Sequence, residues 1–251
     1  MNRDDLVSYL DRYLRVRDIE DTSQNGLQVE GPLEVTRVAF AVDACLASFE
    51  QAVGTDAQLL VVHHGLFWSE PQRLIGPHFR RVKTLLSGRC GLYAVHLPLD
   101  AHPDVGNNVE MARLLRLVNT RPFGAYHGVD IGVAGVLDPP LDLPALLGRL
   151  IEATGTPPLR VLDHGPDLIE TVGCVSGDAA EMVDQAAEAG LDAYITGETR
   201  HAVFHQAAEW GLNVLFAGHY ETEKLGLMAL QRHLADQFEL DTVFLHIPTG
   251  A

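Results

Sequence analysis

Short apolar segments alternate with helical segments along this chain, and that alternation limits the fold more than any other feature. Val35–Val42, Ala57–Val62 and Leu92–Val95 read as buried strands. Between the first two, Ala44–Val53 reads as a helix that Gly54 ends. Strands that alternate with helices build a parallel sheet covered by those helices, so the first half of the chain predicts an α/β sheet.

The second half of the chain repeats this plan. Its predicted strands and helices are, in order, Ile169–Val175, Ala179–Ala189, Asp192–Thr196, His201–Trp210 and Leu212–Phe216. The segment Gly190-Leu-Asp-Ala also echoes Gly54-Thr-Asp-Ala. Two matched β-α-β-α-β units predict two related α/β lobes, although chance similarity between βα units is a competing interpretation.

Further elements flank the two units. Helices are predicted at Arg3–Arg15, Arg80–Leu86, Val109–Leu117, Ala145–Thr154 and about Lys224–Leu234, and a last strand is predicted at Thr242–Ile247. The proline-rich segment 137–144 and the sequence Gly155-Thr-Pro-Pro158 predict turns at the edges of a lobe.

The charge and composition of the chain limit its location and its partners. The 18 basic and 34 acidic residues give a formal charge of −16, which disfavours nucleic acid as a partner because its phosphates need a basic surface. No apolar run approaches the ~20 residues that cross a bilayer, and the N-terminus has no apolar signal segment. We therefore expect a cytoplasmic protein without membrane contact. Cys45, Cys90 and Cys174 are scattered and predict core thiols.

Metal-binding side chains follow three of the predicted strands. His63 and His64 come directly after the second strand, Asp100 follows the third, and His219 and Glu223 follow the last strand of the second half. In α/β sheets, ligands bind beyond the carboxyl ends of the strands, so these side chains are candidates for one site.

Each group has a structural alternative when it is taken alone. Adjacent residues on a strand point in opposite directions, so His63 and His64 face one site only if the chain bends there. They could instead serve two neighbouring ions, and such a pair alone is more often a polar strand end than a metal site. His219 and Glu223 share a face if a helix begins there, and otherwise they form a surface pair.

Taken together, the five side chains predict a dinuclear metal centre. Three histidines and two carboxylates exceed what one four-coordinate ion with an open position needs, and they fit two ions that share a bridging carboxylate. Mixed imidazole and carboxylate ligands suit two divalent ions of Zn, Fe, Mn or Ni, and do not choose among these metals.

Other polar side chains near these strand ends have less definite roles. His96 could orient a ligand or carry a proton, and is a candidate catalytic residue. Glu198, the other candidate, either lines the same cleft or caps the helix that follows it. His205 reads as an interior or edge histidine, and His102, before a proline, reads as a surface residue.

Five motifs recur in this order in a known family. They are Ser23-Gln-Asn-Gly-Leu-Gln-Val-Glu-Gly31, Val61-Val-His-His-Gly-Leu-Phe-Trp68, His96-Leu-Pro-Leu-Asp-Ala-His-Pro103 with Gly106-Asn-Asn108, Ile195-Thr-Gly-Glu198 and Ala217-Gly-His-Tyr-Glu-Thr-Glu223. Through them the chain, from about residue 1 to 248, resembles the GTP cyclohydrolase 1 type 2 homologues, also called Nif-three-like proteins.

The resemblance implies a fold, a site and an assembly. The fold is α/β, with two related lobes and the metal site near the lobe boundary. Lobe A would cover about 1–123 with 217–251, and lobe B about 124–216. The implied assembly is a ring-shaped homohexamer. The implied metal ligands, with the last as the bridge, are His63, His64, Asp100, His219 and Glu223.

Two functions stay open at this point. The first is a metal-dependent hydrolase, GTP cyclohydrolase-like, that acts on a nucleotide or a heterocyclic C–N bond. The second is a non-catalytic scaffold that binds metal, delivers metal or binds a partner. The family name alone suggests GTP, since the sequence has no phosphate-binding P-loop. Turnover of a nucleotide by the metal-loaded protein distinguishes the two functions.

Overall fold

The computed structural model describes residues 1–250, which form two compact units. Unit 1 consists of Met1–Leu99 and Leu227–Ile247, and unit 2 consists of Asp100–Gly226 and residues 248–250. Residues 100–123 and 217–226 fall in unit 2, whereas both ranges were expected in lobe A.

The helices and strands alternate along most of the chain. The helices are α1 Arg3–Tyr13, α2 Leu46–Gly54, α3 Gly76–Gly88, α4 Leu97–Asp100, α5 Asn107–Leu114, α6 Leu143–Thr154, α7 Val183–Glu188, α8 Val203–Trp210 and α9 His219–Phe238. The strands are β1 Gly26–Val29, β2 Arg37–Asp43, β3 Leu59–His64, β4 Gly91–Ala94, β5 Leu117–Tyr126, β6 Val129–Asp142, β7 Arg160–Leu162, β8 Leu168–Cys174, β9 Ala193–Thr196, β10 Asn213–Phe216 and β11 Asp241–Phe244.

Unit 1 is built on a five-stranded sheet in the order β1-β4-β3-β2-β11. The last four strands in this order are parallel, and β1 is an antiparallel edge. The β2 and β3 strands are almost wholly apolar and buried, as central parallel strands are when helices cover both faces. Their register places Asp43 opposite His64, so the carboxyl ends of both strands bring polar side chains to the same edge.

Unit 2 is built on a six-stranded sheet in the order β5-β6-β8-β9-β10-β7. Its β8, β9 and β10 strands are parallel, and the other three strands pair antiparallel to their neighbours. Each unit therefore contains three consecutive parallel strands linked by helical segments, which confirms the predicted α/β class. Each also has its own apolar core, formed around residues such as Phe49 and Leu60 in unit 1 and Leu150 and Leu215 in unit 2.

The predicted elements differ from the structure in several places. The helix expected over Ala179–Ala189 is a short 3-10 turn followed by α7. The hairpin of β5 and β6 was not predicted, and the proline-rich segment 137–144, expected to form turns, lies largely in β6. Helix α9 begins at His219, five residues before the expected start, so His219 and Glu223 do share one helix.

The cysteines are all free thiols. Cys90 and Cys174 are buried, as predicted for core thiols, and burial raises the pKa of each to about 12. Cys45 is only half-buried, and its sulfur caps the start of α2 by accepting a hydrogen bond from the Ser48 amide. Within residues 1–250, none of the helices has the length and apolar character that crossing a membrane requires.

Candidate metal-binding site

Three histidines lie together at the carboxyl end of the unit 1 sheet. His63 and His64 end β3, and His96 comes two residues after the last residue of β4. One possible ligand atom from each ring lies within 4.8 Å of the other two. The ring centroids of His63 and His64 are 4.8 Å apart, and that of His96 is 5.0 Å and 5.6 Å from them. Unit 1 thus has a compact three-imidazole cluster.

Oxygen atoms hold the Nδ1 atoms of the two β3 histidines. His63 Nδ1 is 2.9 Å from the carbonyl oxygen of Val95, and His64 Nδ1 is 2.8 Å from Oδ1 of Asp43. A neutral imidazole that donates from Nδ1 carries its lone pair on Nε2. These contacts therefore favour the tautomer in which Nε2 is the metal-binding atom.

The buried carboxylate of Asp21 likewise contacts Nδ1 of His96 and favours the tautomer with a free lone pair on Nε2. Its side chain is 2% exposed, and its Oδ1 is 3.0 Å from His96 Nδ1. The carboxylate also accepts hydrogen bonds from Ser23, Asn25 and Leu97. Burial disfavours the charged carboxylate and so raises the pKa of Asp21. The hydrogen bond and charge of His96 lower it, as do the hydrogen bonds from Asn25 and Ser23. These effects outweigh burial, and the pKa falls to about 2. Asp21 is therefore an anion that orients the His96 ring.

Asp100, at the end of α4, is a buried carboxylate of unit 2. Asn107 Nδ2 and Ser176 Oγ each donate a hydrogen bond of 2.8 Å to its Oδ1. Both donors are neutral, so they orient the carboxylate without cancelling its charge. A buried anion in such surroundings attracts a cation.

His219 lies between two carboxylates of unit 2. Its Nδ1 is 2.6 Å from Oε1 of Glu198, and its Nε2 is 3.0 Å from Oε2 of Glu223. If Nδ1 of a neutral ring donates to Glu198, the Nε2 lone pair faces a negative oxygen. That arrangement is unfavourable unless the ring gains a proton or a cation binds both atoms. The contacts therefore fit either a metal ion held by His219 and Glu223 or an imidazolium ring between the two carboxylates.

Two glycines allow the chain to pass close to these side chains. Gly177 has a φ of +69°, and a Cβ there would overlap the Glu223 carboxylate. A Cβ on Gly197 would lie 2.8 Å from the Cα of His219. Thr222 ties the Gly177 segment to the first turn of α9, because its Oγ1 accepts from the Gly177 amide at 3.0 Å. Backbone is therefore packed directly behind the ligands of α9.

The five predicted metal ligands are divided between the two units. His63 and His64 lie in unit 1, while Asp100, His219 and Glu223 lie in unit 2. Asp100 does not follow strand β4 directly, because the one-turn helix α4 intervenes. All five are buried or half-buried.

The other polar candidates have more definite surroundings in the structure. Glu198 does not cap α8, whose N-cap residue makes no side-chain cap bond, and it contacts His219 instead. His102 was wrongly expected at the surface: it is buried, and its Nδ1 accepts from the amides of Asp104 and Val105. His205 is exposed on α8.

Several supporting residues were missed in the sequence. Asp43 directly follows the predicted strand Val35–Val42 and ends β2 in the structure, so the strand-end rule could have found it. Asp21 lies two residues before the Ser23-Gln-Asn-Gly motif, and Asn107 lies within another of the quoted motifs, but no spacing rule links either to a ligand. Ser176 carries no motif signal, because it reaches Asp100 only through the fold of unit 2.

The fold and these side chains define an α/β protein of two units, with histidine and carboxylate clusters of the kind that bind divalent metals. The chain belongs to the Duf34/NIF3 (NGG1p interacting factor 3) family, whose model matches residues 1–249.

Individual relatives agree with this membership over the whole chain. A Deinococcus radiodurans protein called GTP cyclohydrolase 1 type 2 homolog is 45% identical over 250 residues, which cover 100% of this chain and 95% of the relative. A Pyrococcus abyssi protein of the same name is 42% identical, with 100% of both chains covered. The crystal structure of TTHA1606 from Thermus thermophilus is similar with a TM-score of 0.93 and 46% identity, and covers 100% of both chains. The family and the α/β fold expected from the motifs are thereby confirmed.

Proposed function

We propose that this protein binds two divalent metal ions and uses them to hydrolyse a C–N bond in a nucleotide or another heterocycle. The proposed ligands are His63, His64, Asp100, His219 and Glu223. The observation that carries the proposal is the environment of His219, which has one carboxylate on each ring nitrogen. Divalent ions bound to these residues would supply a nucleophilic water at neutral pH and a Lewis acid for the substrate.

The surroundings of the proposed ligands support a role in binding rather than in packing. His63, Asp100 and Glu223 are buried, where a polar or charged side chain costs free energy that an apolar residue would not. Each of the three histidines also has an oxygen on Nδ1, which is the usual arrangement around metal-binding histidines. Mixed nitrogen and oxygen ligands suit Zn, Fe, Mn or Ni.

His96 and Glu198 take different parts in this proposal. His96, oriented by Asp21, is placed to hold or accept a proton at Nε2 beside the two β3 histidines. Glu198 is a positioning residue, because its carboxylate holds Nδ1 of His219. Substrate phosphates would need the positive charge of bound ions, since the chain has a formal charge of −16.

The relatives support GTP as the first substrate to test. Both of the relatives compared carry the name GTP cyclohydrolase 1 type 2 homolog. We propose the same reaction class for this chain, acting in the cytoplasm as a ring-shaped homohexamer.

Turnover by the metal-loaded protein tests the proposal. The purified chain is loaded with Zn, Fe, Mn or Ni, its metal content is measured, and it is incubated with GTP, other nucleotides and cyclic amides while products are followed by mass spectrometry. We expect two ions per chain. We also expect the rate to fall more than about 100-fold in His63→Ala and in Glu223→Ala, since each loses a ligand of the ions that supply the nucleophile.

The matched control is His205→Ala, which removes an exposed imidazole from α8. It should keep the wild-type rate. Equal rates in His63→Ala, Glu223→Ala and wild type would refute the hydrolase proposal. Two bound ions without turnover of any tested compound would favour the metal-carrying scaffold instead.

A further inference from the structure

A basic segment of unit 1 differs from the acidic composition of the chain. Residues 73–89, which cover the end of the loop after β3, all of α3 and the residue after it, contain five of the 18 basic residues and none of the 34 acidic residues. The five are Arg73, Arg80, Arg81, Lys83 and Arg89. Within residues 1–250, none of these side chains forms an ion pair. The segment is therefore a local concentration of positive charge on a protein that otherwise repels anions.

The connection from β3 to β4 determines where this segment lies. The two strands are parallel neighbours, so α3, which links them, runs back from the carboxyl end of β3 to the amino end of β4. The first turn of α3, with Arg73 before it and Arg80 after it, is therefore at the same edge of the sheet as His63 and His64. Because α3 has 13 residues, Arg89 lies roughly 20 Å away at the other end of the helix.

The first turn of α3 has open backbone donors. Its N-cap residue, Ile75, makes no side-chain cap hydrogen bond, and no acceptor within residues 1–250 takes the amide protons of Gly76 and His78. A Cβ built on Gly76 would meet no other residue within 4 Å, so the space beside this amide is open. Free amides and the positive end of the helix dipole together favour a negatively charged ligand.

The side chain of His78, the third residue of α3, is a second and independent indication of a ligand. The residue is 9% exposed, and neither ring nitrogen has a hydrogen-bond partner within residues 1–250. Its ring lies against Phe67, in the loop after β3, with centroids 5.6 Å apart and an interplanar angle of 88°. A helical side chain leans over the turn that precedes its own Cα, which directs this imidazole toward the start of α3. A ligand oxygen there would accept the hydrogen bond that the buried ring lacks.

We propose that the end of the loop after β3 and the first turn of α3 bind the phosphate groups of a nucleotide. The proposal rests on the proposed function and names the part of unit 1 that recognises the anionic end of that substrate. Arg73 and Arg80 pair with phosphate oxygens, the amides of Gly76 and His78 donate to them, and the His78 ring donates a further hydrogen bond. The phosphates then lie at the carboxyl edge of the sheet, where the proposed metal ligands of β3 also lie.

Binding of inorganic triphosphate tests this proposal without any turnover. The full chain is stripped of metal, freed of chelator and titrated calorimetrically with sodium triphosphate, GTP and guanosine at about 0.05 M salt. Since the contacts are made to phosphates, we expect triphosphate and GTP to bind within about tenfold of each other and guanosine at least about 100-fold more weakly. Raising the salt to about 0.3 M should weaken the binding of both anions.

Substitutions within the basic segment locate the site. Arg73→Gln and Arg80→Gln should each weaken triphosphate binding about 5- to 50-fold, because each removes a charge-assisted hydrogen bond. His78→Phe keeps an aromatic ring in the buried space but removes its donor, and should weaken binding about 3- to 10-fold. The matched controls are Arg89→Gln, at the far end of α3, and Arg121→Gln, an exposed cation of unit 2, which should both bind as the wild type does. Circular dichroism checks folding, and if His78→Phe does not fold, the two arginine variants decide.

The outcomes separate this proposal from the proposed function. No triphosphate binding by the wild type, guanosine binding as tight as that of GTP, or equal losses in Arg80→Gln and Arg89→Gln would overturn the phosphate site. Triphosphate binding without turnover of any nucleotide would refute the hydrolase and leave the phosphate site in place. Nucleotide turnover with an unchanged KM in Arg73→Gln and Arg80→Gln would refute the phosphate site and leave the hydrolase in place.

Discussion

Carboxylates near the candidate site differ in what they contact. Asp100 is buried beside two neutral hydrogen-bond donors, and Glu223 is buried beside the imidazole of His219. Glu198 and Asp43 are partly exposed, and each contacts the Nδ1 atom of a histidine. A carboxylate on Nδ1 sets the tautomer and raises the basicity of Nε2 without binding the metal itself. At the scale of single residues, the structure therefore separates proposed ligands from the side chains that orient them.

Glu198→Gln tests the orienting role. The amide keeps the size of the side chain but loses its charge, and it can donate to Nδ1, which favours the wrong tautomer of His219. We expect zinc affinity to fall about 10- to 100-fold in competition titrations. Glu209→Gln, an exposed position on α8, is the control and should bind zinc as the wild type does. Equal affinities in both variants would contradict this role.

Asp21 makes the stability of the metal-free chain depend on pH. Its folded-state pKa of about 2 lies below the ordinary value of 3.8, so its stabilising contribution is fully present above about pH 4 and is lost as the pH falls through about 2. The shift corresponds to about 2 kcal/mol. Denaturant unfolding between pH 6 and pH 3 should show part of this loss in the wild type and none of it in Asp21→Asn. If the free energy of unfolding changed with pH in the same way in both proteins, this prediction would be contradicted.

At the scale of secondary structure, the first turn of α9 packs closely against the backbone of two loops. Thr222 binds the Gly177 amide, and glycines at 177 and 197 leave room for Glu223 and His219. The ligands of this helix are thus positioned by two loops that follow neighbouring parallel strands.

Gly177→Ala should displace Glu223. The left-handed backbone costs roughly 1–2 kcal/mol for a residue with a Cβ, and the methyl group would overlap the carboxylate. We expect a lower unfolding temperature and weaker zinc binding, measured by calorimetry and competition titration. Gly54→Ala, at the end of α2, is the matched control because no atom lies within 4 Å of its added Cβ. A wild-type zinc affinity in Gly177→Ala would show that Glu223 does not depend on this glycine.

The sequence predicted the parallel strands and their ends well, because apolar runs followed by polar residues are a local signal. It missed the β5–β6 hairpin for a physical reason. Pro122 and Gly124 are unfavourable inside a central strand, but β5 is an edge strand, where an absent amide donor is tolerated. Pro139 and Pro140 lie between Val136 and Leu141, where the pairing of β6 with β8 is interrupted. The orienting residues were missed because they depend on tertiary packing.

The charge of the whole molecule has consequences for its assembly. Each chain carries a formal charge of −16, so copies of it repel one another at low ionic strength. We expect the proposed hexamer, six times the 27.4 kDa chain, to be populated more fully at about 0.3 M salt than at about 0.02 M. Sedimentation velocity at both salt concentrations measures this. A single chain-sized species at both would contradict the hexamer.

Within the cluster of His63, His64 and His96, His63 differs from the other two histidines in what holds its Nδ1. Its acceptor is the main-chain carbonyl of Val95, whereas His64 and His96 depend on aspartate side chains. The main-chain carbonyl oxygen is still present when Val95 is replaced by any other amino acid. During evolution, one substitution at Asp43 or Asp21 can therefore remove the acceptor that orients His64 or His96. His63 keeps its acceptor as long as the backbone conformation at residue 95 is unchanged.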